Sequence, residues 1–343
     1  MIYGIVIITL TLCFNGCNEN SKTSNSESNN TLNYEYSYCK PWKYDLNATG
    51  DALNWVDTGA KLPTPLSYPQ VAVIGDYVYL FGGNNNDSAI NNIYKAPITD
   101  PTSWIDTGAI LPTSLYVSQT AVIGDYIYLF GGNNNYGPTN VIYKAPLSNP
   151  TSWIDTGTTL PNYLSFSQIA VIQDHIYLFG GYNDYGPTNV IYKAPLSDPT
   201  SWIDTGATLP NNLSFSQIAI IKDHIYLFGG LSDSNIIDKI YKAPITDPTS
   251  WQNTRATLPN TLGYSKIVVI GNYIYLFGGY NNSITDSIYK ATLTNPTSWV
   301  DTGIKLPSSI YSSQIAIIGD YVYLFGGYTN NSINDVIYKA YIK

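Results

Sequence analysis

The pentapeptide Tyr-Leu-Phe-Gly-Gly occurs six times, with its second glycine at Gly83, Gly132, Gly181, Gly230, Gly279 and Gly327. The interval is 49 residues four times and 48 once. A tryptophan keeps this period (Trp55, Trp104, Trp153, Trp202, Trp251, Trp299), and so does a tyrosine (Tyr94, Tyr143, Tyr192, Tyr241, Tyr289, Tyr338). Three residue types locked to one period of this length restrict the chain to a propeller, a solenoid or an array. Each unit is then one supersecondary element that buries its apolar surface only against its neighbours.

Within one unit the pattern divides into four strands, A to D. Gln119 to Ile123 is apolar and β-branched, and Gly124-Asp125 supplies a tight turn. Tyr126 to Phe130 alternates aromatic and aliphatic side chains up to the glycine pair. Val141 to Leu147 follows an Asn-rich loop, and Ser148-Asn149-Pro150-Thr151 is a β-turn signature before Trp153 to Thr156. Four antiparallel strands make a propeller blade. The strand at Trp55 is a D that precedes any A, whereas the last unit supplies A, B and C and no D. Pairing the N-terminal D with the C-terminal A–C completes a sixth blade and hides two edges open to aggregation. The expectation is an all-β, six-bladed β-propeller of four-stranded antiparallel blades over residues 53–343, closed by an N-terminal D strand.

A hydrophobic run ending in Gly-Gly, followed by a spaced Tyr and a spaced Trp, resembles the kelch repeat. The resemblance covers residues 53–343. The Arg and His usual at the start of kelch strand A are absent, and Ser-Gln stands there instead, as in Ser118-Gln119. Functions that depend on those residues do not transfer. Galactose-oxidase-like enzymes share the kelch propeller, but their copper site needs His ligands and a Tyr–Cys crosslink. No Cys lies in residues 53–343.

The first 17 residues read as a targeting segment. Ile2 to Phe14 is almost continuously apolar and short for a membrane span. Phe14-Asn15-Gly16-Cys17 resembles the lipobox of bacterial lipoprotein signal peptides, which implies lipidation at Cys17. An ordinary cleaved signal and an uncleaved one are the alternatives. Residues 18–52 read as a tether: 18–38 is rich in Asn, Ser and Glu, and Trp42 to Leu46 reads as a cap or strap. Cys39 is left without a partner once Cys13 is removed and Cys17 is lipidated. The expected location is secreted or at the cell envelope, as a lipoprotein held to the membrane only by its lipid and facing the periplasm or exterior.

A formal net charge of −8 argues against nucleic acid as a partner, because phosphate binding needs a basic surface. The three glutamates, Glu19, Glu27 and Glu35, all precede the repeats. His175 and His224 occupy equivalent A–B turns where other copies carry Tyr, and read as plain substitutions rather than a metal pair. No P-loop, G-x-S-x-G or G-x-G-x-x-G motif is present. No catalytic residue, metal or cofactor is expected.

What remains is a surface. The B–C and D–A loops emerge on one face, and the B–C loops (Asn133–Asn140 in the second unit, for example) are the most variable part of the repeat. Variable loops on a rigid scaffold commonly carry binding. Tyr68, Val117, Phe166, Phe215, Tyr264 and Ser312 are equivalent, as are Gln70, Gln119, Gln168, Gln217, Lys266 and Gln314 two residues on. Strand A is normally innermost in a propeller, so both sets should approach its axis. One unit departs from the pattern towards positive charge, with Arg255 for glycine and Lys266 for glutamine. The two fall on one D–A connection and read as a cationic pair for a carboxylate or sulfate. The candidate ligand-binding set is therefore Arg255, Lys266, Tyr264, Phe215, Phe166 and Tyr68. The functional expectation is a monomeric, non-catalytic binding or adhesion module for a protein or glycan. The alternative is a carbohydrate-active enzyme resembling the bacterial sialic acid mutarotases, using Arg255, Lys266 and loop Asp residues.

Overall fold

The computed structural model describes residues 53–86, 88–329 and 332–342. The expectations placed on 1–52, including Cys17, Cys39, the tether and the Trp42–Leu46 strap, lie outside the described residues. The described chain forms 24 strands in six four-stranded antiparallel sheets. The closing strand β1 is Trp55–Lys61. Blade 1 contains β2 (Gln70–Ile74), β3 (Tyr77–Phe81), β4 (Asn92–Pro97) and β5 (Ile105–Ile110). Blade 2 contains β6 (Gln119–Ile123), β7 (Tyr126–Asn134), β8 (Gly137–Pro146) and β9 (Ile154–Thr159). Blade 3 contains β10 (Gln168–Ile172), β11 (His175–Asn183), β12 (Gly186–Pro195) and β13 (Ile203–Thr208). Blade 4 contains β14 (Gln217–Ile221), β15 (His224–Ser232), β16 (Asn235–Pro244) and β17 (Gln252–Thr257). Blade 5 contains β18 (Lys266–Ile270), β19 (Tyr273–Phe277), β20 (Ser287–Thr292) and β21 (Asn295–Lys305). Blade 6 contains β22 (Gln314–Ile318), β23 (Tyr321–Tyr328) and β24 (Ile333–Tyr341), and β1 is its outer strand.

The closure expected from strand counting is present: Trp55 pairs with Ala340 and Asp57 with Tyr338. Burial follows strand position. β2 and β3 are buried almost throughout because both faces pack on neighbouring blades, whereas β5 alternates exposed and half-buried residues on the rim. At every blade boundary a strand-B Phe meets the outer Trp of the next blade edge to face. Phe130 and Trp202 have ring centroids 5.1 Å apart, and the closing blade repeats the contact with Phe277 and Trp55 at 5.3 Å. A Trp buries roughly 150–250 Å², so at ~25 cal/mol/Å² each such residue contributes about 4–6 kcal/mol of gross burial.

The outer strands carry a built-in break. In β5, Asp106 Oδ1 accepts the Gly108 N–H at 2.8 Å, Gly108 adopts φ +73°, and the register with β4 shifts there. Such a bulge twists the exposed edge and blocks edge-to-edge pairing. The glycine pairs act differently. A Cβ on Gly131 would lie 2.3 Å from the Leu164 carbonyl oxygen, and the Gly132 N–H donates to that same oxygen at 2.8 Å. Each B strand thus ends against the connection leading to the next blade. The last of these contacts, Gly327 N–H to Leu66 O at 2.8 Å, locks blade 6 to blade 1.

Two local expectations are corrected. The B–C loop Asn133–Asn140 and its equivalents in the next two units, Tyr182–Asn189 and Leu231–Asp238, are extended hairpins rather than loops, with β7–β8, β11–β12 and β15–β16 paired almost to their tips. Asn134 Oδ1 accepts the Tyr136 N–H at 2.7 Å, and Gly137 follows at φ +125°. This Asx turn brings the strands back in register. In blade 2 the outer strand starts at Ile154 and runs to Thr159, later than expected.

Candidate functional site

Each D–A connection passes close to the axis before strand A begins. At that point Tyr68, Val117, Phe166, Phe215, Tyr264 and Ser312 all adopt left-handed backbone, with φ between 51° and 60°. Their backbones form a closed ring of hydrogen bonds. Val117 N–H donates to Tyr68 O, Phe166 to Val117, Phe215 to Phe166, Tyr264 to Phe215, Ser312 to Tyr264, and Tyr68 to Ser312, at 3.0 to 3.4 Å. Left-handed backbone costs a non-glycine residue about 1–2 kcal/mol. The ring offsets that cost by satisfying donors and acceptors at the axis.

The side chains of this ring crowd together. Phe166 and Phe215 have centroids 3.8 Å apart, Phe215 and Tyr264 3.9 Å, and Tyr68 meets Phe166 edge-on at 5.6 Å. Burial pushes the Tyr68 phenol well above its ordinary pKa. Burial likewise raises Tyr264 to about 12.

The second equivalent set lies two residues further along strand A. Together the two sets line a half-open cavity of about 60 Å³ on the axis, with Ser118, Ser216 and Ser265 completing its wall. That is room for several water molecules, since one needs about 10–15 Å³ on this measure. Gln70, Gln168 and Gln217 each donate Nε2 to the carbonyl of the preceding residue, at 3.3, 3.0 and 2.9 Å. Lys266 replaces glutamine in blade 5. Burial lowers its ammonium from 10.5 to about 8.

Five of the six sequence-derived candidates, Tyr68, Phe166, Phe215, Tyr264 and Lys266, therefore line one cavity. Arg255 does not. It sits in β17, the outer strand of blade 4, while Lys266 opens β18, the inner strand of blade 5. The expected cationic pair on one connection is therefore split: the repeat places 255 at the bulge of an outer strand and 266 at the axis. Arg255 occupies the bulge glycine position, with φ +64° and its N–H donating to Asn253 Oδ1 at 2.8 Å. The enzyme reading relied on the same pair, and its cations do not share a site.

His175 and His224 open β11 and β15, where each Nδ1 lies 2.7 or 2.8 Å from Oδ1 of the preceding aspartate. These hydrogen bonds hold the Asp174 and Asp223 carboxyls below the usual range. Among the described residues, no three His, Cys, Asp or Glu side chains gather to hold a metal.

The loop face holds features that the sequence reading did not single out. Tyr136 and Tyr185 stand at the tips of the adjacent blade 2 and blade 3 hairpins, 99% and 97% exposed. Tyr280, Tyr311 and Tyr328 form a half-buried cluster: Tyr311 lies 6.2 Å from Tyr280 and 5.2 Å from Tyr328, and Tyr264 joins it at 5.6 Å from Tyr311. The signal for the tips was the repeated Asn-x-Tyr-Gly-Pro-Thr-Asn at residues 134–140 and 183–189. Its meaning depends on the hairpin that carries it.

A family model described as the KLHDC2/KLHL20/DRC7 Kelch-repeats domain matches residues 117–327. The matched span runs from the start of blade 2 to the last glycine pair and covers well over half of the chain. No curated protein matches the chain. With six closed four-stranded blades and this match, the chain belongs to the kelch-repeat family of β-propellers.

Proposed function

We propose that this propeller is a non-catalytic binding module that takes a protein or glycan ligand on the face formed by its B–C hairpins and D–A connections. The observation that carries the reading is the pair of fully exposed tyrosines, Tyr136 and Tyr185, at equivalent hairpin tips of adjacent blades. A tyrosine that packs on nothing adds little to folding, whereas rigid aromatic side chains held out on hairpins are efficient anchors for a partner. Kelch propellers typically serve as protein-interaction modules, which supports the same reading. Display at a bacterial cell envelope, through a lipid on Cys17, completes the proposal. Mass spectrometry of the mature N-terminus tests it, and an unlipidated or uncleaved terminus overturns that part.

A glycan array together with an array of envelope and host surface proteins tests the binding face. Wild type should bind a defined ligand, and Tyr136→Ser with Tyr185→Ser should weaken that binding at least tenfold while leaving the fold intact. Equal binding by the double variant removes the proposed face. Turnover of a sugar ligand, followed by NMR, overturns the non-catalytic reading.

A further inference from the structure

Lys266 is the one cation among the residues that line the axial cavity, and no aspartate or glutamate lines it. Among the described residues its ammonium has no ion-pair partner and no hydrogen-bond acceptor, and its side chain is half-buried at the axis where strand A begins. The remaining wall is neutral: glutamine amides, serine hydroxyls, the phenols of Tyr68 and Tyr264, and apolar rings. A half-buried charge facing only neutral dipoles gains from a counter-charge that can reach it. The cavity beside it has room for more than one water molecule, and so for one small anion.

We propose that Lys266, at the break in the glutamine ring, makes the axial cavity a binding site for a single small monovalent anion of the halide or formate class. The ammonium supplies the charge, and neighbouring hydroxyl and amide groups supply neutral hydrogen bonds. The site is separate from the hairpin face proposed above, so each can fail without the other.

The repeat provides an internal control. Glutamine stands at the five equivalent positions, so Lys266→Gln restores the ring with a residue this fold already accommodates. Chloride-35 NMR line broadening, at constant ionic strength against a bulky-anion background, reads binding directly. Crystals grown in bromide should show an anomalous peak beside Lys266 Nζ. Wild type should broaden the chloride line and Lys266→Gln should lose at least tenfold in affinity, with unchanged circular dichroism. Wild-type binding should also fall between pH 7 and pH 9 as the ammonium loses its proton. The other titratable groups facing it, Tyr68 and Tyr264, stay neutral across that range because burial raises both. No broadening by wild type, equal broadening by Lys266→Gln, or a bromide peak only outside the channel would each overturn the proposal.

Discussion

Arg255 offers a quantitative test of how this repeat stores strain. Five blades place glycine at the outer-strand bulge (Gly59, Gly108, Gly157, Gly206 and Gly303), all with φ of 73° or 74°, and Arg255 is held there at φ 64°. At each of those glycines a Cβ would meet nothing within 4 Å, so the cost of a side chain is conformational rather than steric. A non-glycine residue in this region costs about 1–2 kcal/mol. Restoring glycine gives back about 0.5–1 kcal/mol as extra entropy of the unfolded chain. Arg255 is exposed and its backbone bond to Asn253 does not need the side chain. Arg255→Gly should therefore stabilise the protein by about 0.5–1 kcal/mol, which raises Tm by roughly 1–2 °C for a domain of this size. Gly206→Arg, the reciprocal change in blade 3, should destabilise by a similar amount. Urea titration and scanning calorimetry of both variants provide the measurement. A less stable Arg255→Gly variant would refute the reasoning, because the guanidinium would then contribute more than its backbone strain costs.

Gly131→Ala should be far more damaging than any bulge substitution, at least about 3 kcal/mol, because its Cβ would sit 2.3 Å from the Leu164 carbonyl oxygen at φ +57°; expression and thermal melting read this out. Trp202→Ala should cost about 3–5 kcal/mol in urea unfolding, since it removes the Phe130 contact and the Nε1 donor to Pro199 O at 2.9 Å. Tyr136→Ser with Tyr185→Ser should change stability by less than about 0.5 kcal/mol whatever it does to binding. Lys266→Gln should exceed wild type in halide-free stability at pH 7 by no more than about 3 kcal/mol, the full value of moving the ammonium from 10.5 to about 8. The folded-state pKa is depressed, so the unfolded chain holds the proton more tightly and the wild-type penalty is complete below pH 8. That penalty should fade as pH rises towards 10.5, and a gap between the two proteins that does not narrow with pH would contradict a desolvated ammonium.

Much of the architecture was legible because the six-fold repetition is redundant. Each Gly-Gly, Tyr and Trp recurs in the same role, and strand A of blade 2 was read at the bounds it adopts, Gln119–Ile123. The hairpins of blades 2 to 4 were not legible. Asn-rich stretches signal a turn but do not say how far the flanking strands stay paired beyond it. That depends on cross-strand bonds such as those around Gly132–Thr139, which only the folded blade reveals.

The candidate site divides in the same way. Sequence periodicity alone identified two equivalent sets of residues at the start of strand A, and marked Lys266 and Arg255 as the departures. It placed those two together because they are near in the chain. The fold separates them, since in a propeller the radial distance from the axis is set by strand order and not by sequence distance. A few residues of D–A connection carry the chain from the outermost strand of one blade to the innermost strand of the next. One departure thus became a strained surface residue. The other became an isolated charge on the axis, and the ring of hydrogen-bonded left-handed residues beside it has no sequence signature, because it exists only once six blades have closed.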